Sequence, residues 1–353
     1  MGVTITGIGS YIPSGVATNE NFENHDFYNE DGSPFPHENE VIIEKFKAIT
    51  GIAERRYITN DLTTSDIAAV AAQKAIDNAG IDKETLDYII VAHNYGDVKH
   101  GNAQSDTVPS IASRIKHTLK IKNPYCVGYD VLFGCPGWVE GMVQANAFIK
   151  AGMAKKCLVI GAEALSRVVD QHDRDSMIYS DGAGATVVEA KDGDTGIIAH
   201  KSATFAYDEA HFIFFGESNN QEMTDTRRYI KMYGRKIYNF ALSNVPEAMK
   251  NCLDEAKVEI DDLKKIFIHQ ANEKMDEAIV NRFYKLYNKE VPEYIMPMSI
   301  NKLGNSSVAT IPTLYDLVTN GQLENQKVTK GDVVMFASVG AGMNVNAMVY
   351  RVA

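Results

Sequence analysis

Two stretches of this 353-residue sequence return later in the same chain. Residues 76–91 resemble residues 253–268, with apolar side chains at matching positions 177 residues apart. The glycine-rich residues 181–188 resemble residues 339–346, with a shift of 158 residues. A chain that repeats itself in this way folds most simply as two copies of one structural plan. The sequence therefore predicts two similar halves, with chemistry where the copies diverge.

Short apolar runs alternate with segments of helical period in both halves. The predicted strands are residues 86–92, 126–131, 157–161, 265–269 and 333–338. The predicted helices are residues 64–78, 137–150, 245–256 and 275–287. Strands that are apolar on both faces and separated by helices are typical of an α/β fold with parallel pairing. We place the join within residues 190–203 and assign the halves to residues 1–195 and 196–353.

Charge and hydropathy restrict the class of function. The 35 Lys and Arg residues are outnumbered by 46 Asp and Glu residues, which gives a formal net charge of -11. Such a balance disfavours contact with a phosphate backbone, so we expect no nucleic-acid partner. No apolar run approaches the ~18 residues of a membrane span, and the first residues lack the pattern of a signal peptide. We expect a cytoplasmic protein without a membrane partner.

Among the four cysteines, Cys135 stands apart. There is no CxxC spacing, so the cysteines are expected to be free thiols, and Cys126, Cys157 and Cys252 fall in apolar segments typical of a core. Cys135 instead follows a strand-like run, and Pro136 and Gly137 after it are typical of a helix start. A helix N-terminus stabilises a thiolate and lowers the thiol pKa. This pattern predicts a nucleophile, although a buried structural cysteine would also explain it.

Two further polar residues end apolar segments of the second half. His269 closes the run 266–268, at a strand's carboxyl end, where α/β sheets place ligands, although a lone histidine is more often structural. Asn305 follows Gly304, and this pair alone is equally typical of a turn that caps a helix. Residue type and position thus do not decide, for either residue, between a catalytic and a structural role.

Taken together, these segments resemble the thiolase-like condensing enzymes, and most closely the β-ketoacyl-acyl-carrier-protein synthase III group. The resemblance spans nearly the whole chain and rests on TGIAERR at 50–56, SDGAGA at 180–185, IKMYG at 230–234, HQAN at 269–272 and GNSSVATIP at 304–312. It implies a thiolase-like α/β fold in which two duplicated halves form a five-layer αβαβα arrangement. It also implies an obligate homodimer.

The resemblance further implies a reaction. Cys135 would take an acyl group from a coenzyme A or acyl-carrier-protein thioester. His269 and Asn305 would donate hydrogen bonds to a malonyl-carrier-protein thioester, whose decarboxylation yields an enolate that attacks the acyl-Cys carbonyl. The backbone amides of Cys135 and Ala341 would form the oxyanion hole. The substrates are thioesters of coenzyme A or phosphopantetheine, and no cofactor or metal is expected.

Several departures from the family pattern bear on the substrate. Lys45 and Ile49 stand where the family has a coenzyme A-contacting Trp and a nearby Arg, and the insertion-like residues 19–40 could cover the tunnel mouth. A specialised ketosynthase that condenses two acyl thioesters, of the dialkylresorcinol type, is therefore an alternative. A non-catalytic partner subunit is another. Hydroxymethylglutaryl-coenzyme A synthase is disfavoured, because no glutamate lies between residues 85 and 138.

Clustered basic residues in an acidic chain indicate a docking surface. Arg235 and Lys274 are the candidates for contact with an acidic carrier protein or a pantetheine phosphate. A solvated charged face would explain the same pattern.

Overall fold

The computed structural model describes residues 2–224 and 226–353, in which strands and helices alternate. The strands are β1 (Gly2–Tyr11), β2 (Gly15–Thr18), β3 (Glu54–Tyr57), β4 (Tyr88–Ala92), β5 (Val127–Val131), β6 (Lys156–Ala164), β7 (Asp181–Lys191), β8 (Gly196–Thr204), β9 (Ile213–Gly216), β10 (Tyr229–Met232), β11 (Leu263–Ile268), β12 (Val333–Gly340) and β13 (Asn344–Arg351). The helices are α1 (Asn39–Thr50), α2 (Thr64–Ala79), α3 (Ile111–Thr118), α4 (Gly137–Lys150), α5 (Gly234–Ala256), α6 (Glu273–Lys285), α7 (Ile300–Leu303) and α8 (Thr310–Thr319).

Two mixed sheets follow the same plan. The first has the strand order β1-β7-β6-β4-β5, and the second has the order β8-β13-β12-β11, which matches the first four strands. Parallel pairing holds only for β4 with β5 and β6 and for β11 with β12. Parallel pairing is thus confirmed for the five predicted strands, whereas β1, β7, β8 and β13, which the sequence analysis did not predict, pair antiparallel. No α-helix crosses over between β6 and β7 or between β12 and β13, so these strands return antiparallel.

Three of the apolar cores fill the space between five layers, and one of them contacts both sheets. Helices α2 and α3 bury small and β-branched side chains against the outer face of the first sheet. Helices α4 and α8 lie between the sheets, where Trp138, Phe267 and Phe336 meet. Helices α5 and α6 cover the outer face of the second sheet. Alternate residues of each central strand belong to different cores, as expected of strands buried on both faces. The predicted αβαβα arrangement is confirmed.

The repeat extends to small details of the backbone. The 3-10 turn Lys83–Thr85 before β4 has its counterpart in Ile260–Asp262 before β11, and the two are 177 residues apart. Helix α2 is capped at its C-terminus by Gly80 with φ 63°, and α5 is capped by the matching Lys257 with φ 53°. Strand β7 ends at Lys191 and β8 begins at Gly196. The assignment of the boundary to residue 195 stays a prediction.

Within residues 2–224 and 226–353, none of the helices combines the length and hydropathy that crossing a membrane requires.

Candidate active site

A cavity of about 250 Å³ opens where the two halves meet. Cys135, His269 and Asn305 all line it, although they come from three distant segments of the chain. The rest of the wall is mainly apolar and includes Tyr95, Phe214, Phe215, Ile230, Met232 and Met275. The structure therefore brings the three sequence-predicted residues to one site.

Cys135 lies in the loop between β5 and α4, two residues before the helix begins. Gly134 has φ 65°, a left-handed conformation that glycine adopts without strain and that lets the chain turn there. Burial raises the pKa of the Cys135 thiol to about 11, against the lowering effect of a hydrogen bond from the Ser307 hydroxyl. The expectation of a lowered thiol pKa is therefore wrong for this state of the site, because loss of solvent outweighs the donors near the sulfur.

His269 follows β11 and is 3% exposed. Its backbone N–H donates to the Ala337 carbonyl at 2.9 Å, which ties it to the neighbouring strand β12. Burial lowers the pKa of the imidazole to about 4, while a hydrogen bond with the Ser307 backbone acts in the opposite direction. The ring is therefore neutral at neutral pH and can donate from one nitrogen.

Asn305 is fixed by both its backbone and its side chain. Its N–H donates to the Ile178 carbonyl at 2.9 Å, and its own carbonyl accepts from the Ser180 N–H at 2.8 Å. The side-chain Oδ1 accepts from the Ser307 N–H at 2.8 Å. Since Oδ1 is held by this bond, the Nδ2 amide of Asn305 is left to donate toward the cavity.

The turn between β12 and β13 lies directly against the nucleophile loop. A Cβ on Gly340 would overlap the Cys135 backbone nitrogen, and a Cβ on Gly134 would lie 2.6 Å from the Ala341 nitrogen. The backbone of the β12–β13 turn therefore packs directly on the backbone of the nucleophile loop, with no side chain between them. The amides of Cys135 and Ala341, predicted as the oxyanion hole, are thus neighbours at the cavity wall.

Comparison with known proteins is decisive about the family. Residues 129–205 match the family described as 3-oxoacyl-[acyl-carrier-protein] synthase III, and residues 253–352 match its C-terminal family. The chain is 31% identical to a β-ketoacyl-[acyl-carrier-protein] synthase III of Erythrobacter litoralis over 98% of each chain. The chain belongs to the 3-oxoacyl-[acyl-carrier-protein] synthase III family. It is therefore an acyltransferase of the condensing type.

Further relatives agree with this assignment. The chain is 32% identical to a synthase III of Ehrlichia canis, covering 99% of this chain and 98% of that one. The structure of a synthase III from Aquifex aeolicus superposes with a TM-score of 0.81 at 29% identity and covers 99% of this chain and 100% of that one. These relatives support synthase III function over both a specialised ketosynthase and a non-catalytic subunit.

Two asparagines of this synthase III that the sequence analysis missed hold the site together. Asn344 Nδ2 donates to the carbonyls of Phe133 and Ala341 at 3.3 and 2.8 Å. Asn346 Nδ2 donates to the Pro136 carbonyl at 3.0 Å. A signal was present, because the second copy of the repeat has asparagine at these positions where the first has Thr186 and Val188.

Arg235 and Lys274 are both exposed, in the first turns of α5 and α6. Ile237 and Met275, from the same two turns, line the cavity, whereas Arg235 and Lys274 are not among its lining residues, and their docking role stays a prediction. Lys231, from the same basic cluster, is instead buried and bonded to Asp170 at 2.6 Å. It contributes nothing to an exposed docking surface.

The insertion at residues 19–40 packs beside the site. Phe22 and Phe27 form a small core with Ile42 and Met177. Of the described residues of the insertion, Tyr28, Asn29, Glu30 and Phe35 line a second cavity of about 350 Å³, and none lines the Cys135 cavity. The two cavities share Phe214 and Met232, so the insertion shapes an adjoining chamber.

Histidine, cysteine and acidic side chains in the described residues form no group of three or more that could hold a metal ion.

Proposed function

We propose that this chain condenses an acyl group held on Cys135 with malonyl-carrier protein. The supporting observation is that Cys135, neutral His269 and the donor amide of Asn305 line one apolar cavity. This set provides a nucleophile and two neutral hydrogen-bond donors, which is what thioester Claisen chemistry requires.

In the first step, the Cys135 sulfur attacks the carbonyl of an acyl-coenzyme A or acyl-carrier-protein thioester. The amides of Cys135 and Ala341 stabilise the negative oxygen of the tetrahedral intermediate. Its collapse breaks the bond to the carrier sulfur, and the thiol proton of Cys135 leaves with the carrier thiol. An acyl-Cys thioester remains in the cavity.

In the second step, malonyl-carrier protein enters. His269 and Asn305 donate hydrogen bonds to its thioester oxygen, so the enolate formed on loss of carbon dioxide is stabilised. The enolate carbon attacks the acyl-Cys carbonyl, the bond from that carbonyl to sulfur breaks, and the released Cys135 thiolate takes up the one proton that the reaction consumes from solvent. A neutral imidazole suits this role, since a charged one would require a proton that burial disfavours.

Other features support the substrates and the assembly. The apolar lining suits an unsubstituted aliphatic acyl chain. Arg235 and Lys274 offer positive charge to an acidic carrier protein or a pantetheine phosphate. The apolar side chains of Val127 and Leu132, at an unpaired sheet edge, favour a homodimer. We place the protein in the cytoplasm, with no cofactor or metal.

Intact-mass measurement after incubation with acyl-coenzyme A and acyl-carrier-protein donors tests this function. We expect an adduct on the parent protein and on the control variant Cys252→Ala, and none on Cys135→Ala. His269→Ala should accept the acyl group but yield no condensed product with malonyl-carrier protein. The absence of an adduct with every donor would overturn the proposal.

A further inference from the structure

A buried carboxyl group interacts electrostatically with the Cys135 thiol. Glu163 on β6 has no exposed surface. It accepts hydrogen bonds from the Asn94 backbone N–H at 3.0 Å and from Asn94 Nδ2 at 2.7 Å. Burying such a group is costly, and neither step of the condensation uses it. Its place in the site therefore requires another explanation.

Asn94 connects this carboxyl group to the site. Its Nδ2 also lies 3.1 Å from the Ser307 hydroxyl oxygen. At pH 8, above the Glu163 pKa of about 7, the carboxylate can only accept, so the amide NH2 of Asn94 faces it. The two hydrogens of Nδ2 then serve Glu163 and Ser307, and the Ser307 oxygen acts as an acceptor toward Asn94.

Ser307 has one hydroxyl hydrogen left, and the Cys135 sulfur lies 3.4 Å from its oxygen. The Ser307 backbone has φ 52°, a left-handed conformation that is uncommon outside glycine. Its N–H is bonded to Asn305 Oδ1, so the backbone is held in place there. Strained residues of this kind persist where surrounding contacts determine them, often at functional sites.

We propose that Glu163, Asn94 and Ser307 are positioning residues that fix the Ser307 hydroxyl as a hydrogen-bond donor to the Cys135 sulfur. Glu163 orients Asn94, Asn94 occupies the acceptor side of Ser307, and the hydroxyl hydrogen is directed at the sulfur. A donor at this place stabilises the thiolate relative to the thiol and opposes the effect of burial. The inference rests on the proposed role of Cys135 as the reacting thiol.

The pH range of the test follows from the groups that face the sulfur. These are Glu163 on β6, His269 after β11, Tyr95 after β4 and Tyr179 before β7. Burial raises the pKa of Glu163 to about 7, lowers that of His269 to about 4, and raises those of both tyrosines above the alkaline range used here. Between pH 8 and pH 10, a changing rate therefore reports the thiol.

The experiment measures the rate of Cys135 alkylation by iodoacetamide, followed by intact mass. The other three cysteines are buried, and Cys135 is partly exposed. We expect Ser307→Ala to react about tenfold more slowly at pH 8, because the thiolate loses a charge-assisted hydrogen bond. Ser306→Ala is the matched control: its hydroxyl lies beside the Thr310 hydroxyl at 3.3 Å, and we expect no change.

Double-mutant cycles test the orientation of Ser307. Asn94→Ala should slow alkylation in the parent but not in the Ser307→Ala background, since Asn94 acts through that hydroxyl. Glu163→Ala should likewise have a smaller effect on the alkylation rate in the Ser307→Ala background than in the parent. The direct effect of the Glu163 charge is present with and without Ser307 and cancels in the cycle.

Two outcomes would overturn the inference: Ser307→Ala alkylates at the parent rate, or the effects of Asn94→Ala and Ser307→Ala multiply independently. If Ser307→Ala does not fold, Ser307→Gly removes the hydroxyl and adopts φ 52° readily. Alkylation needs no acyl donor, so its failure is distinguishable from a failure of the proposed function, which appears as a missing acyl adduct.

Discussion

Cys135 and His269 are both held in their neutral forms by burial. The thiol pKa is raised to about 11 and the imidazole pKa is lowered to about 4, so a thiolate–imidazolium pair is disfavoured in the resting site. Charge instead appears at the sulfur during acyl transfer and at the enolate oxygen during condensation, where hydrogen-bond donors are already placed. The role of each residue near the cavity can therefore be tested by removing the hydrogen-bond donor that it supplies.

Asn305→Asp separates the two steps of the reaction. The aspartate can still accept from the Ser307 N–H, but it presents no donor to the cavity. We expect condensation to slow by about 10²–10³-fold while the acyl adduct on Cys135 still forms. Asn301→Asp, the same change on an exposed residue, is the control. Equal loss of both steps would contradict the assigned role.

Glu163→Gln should change the pH dependence of stability. In the folded protein the pKa of Glu163 is raised from 4.5 to about 7, so the fold retains a proton that the unfolded chain releases. Parent stability is therefore lost as pH rises from 4.5 through 7, whereas glutamine does not titrate. The unfolding free energy of the variant relative to the parent should rise by about 2 kcal/mol between pH 5 and pH 8. Urea unfolding at both pH values measures it, and a constant difference would refute it.

At the scale of elements, the turn from β12 to β13 has little room for side chains. Gly340 has φ -170°, so an alanine there would suffer no backbone strain but would overlap the Cys135 nitrogen. We expect Gly340→Ala to lower the acylation rate at least a hundredfold, because the nucleophile loop must move. In Gly80→Ala the new Cβ meets nothing within 4 Å, so that control should lose some stability at φ 63° and keep its acylation rate. The acylation rates of both variants are measured by intact mass, and a Gly340→Ala rate equal to that of the Gly80→Ala control would contradict the prediction.

Helix boundaries show where sequence patterns were informative. The prediction for α4, residues 137–150, agrees with the structure at both ends, since Pro136 and Gly137 start it unambiguously. Helix α5 was predicted to begin at 245 but begins at Gly234, eleven residues earlier. Pro246 lies inside this helix, and a proline is usually a sign of the first turn. Tertiary packing against β13 and α6 overrides that local signal.

The residues around the nucleophile were harder to predict than the nucleophile itself. Cys135, His269 and Asn305 occur in motifs, whereas Asn94 and Glu163 are single polar residues in or beside apolar strands. Their partners lie 69 residues apart in sequence or more, as for Asn94 with Glu163 and with Ser307. Periodicity reports which face of an element is buried, but it does not report which distant side chain meets it.

At the scale of the whole molecule, the repeat predicted two similar halves, whereas the five layers were implied by the family resemblance. The constant shift of 177 residues indicated two equivalent α/β units, and the structure has two sheets of matching strand order. The repeat did not reveal that β5 belongs only to the first sheet, where it forms an edge. Since β5 leads directly to Cys135, this difference between the two halves lies beside the proposed nucleophile.

The exposed edge at β5 gives a prediction about assembly. Val127 is 47% exposed and Leu132 is 69% exposed, although both side chains are apolar. We expect light scattering to give twice the 38.9 kDa of one chain. Val127→Glu with Leu132→Glu should shift the mass toward the monomer, whereas Val70→Glu, at a 42% exposed position on α2, should not. A monomeric parent would contradict the homodimer.

Asn344 and Asn346 link completion of the nucleophile site to the order in which the chain folds. Their bonds to Phe133 and Pro136 join positions separated by 211 and 210 residues. Contacts of such sequence separation form late, because a long loop must close before they are made. We therefore expect the site around the reactive thiol to be completed only after both sheets have docked, so that partially folded chains lack a working nucleophile.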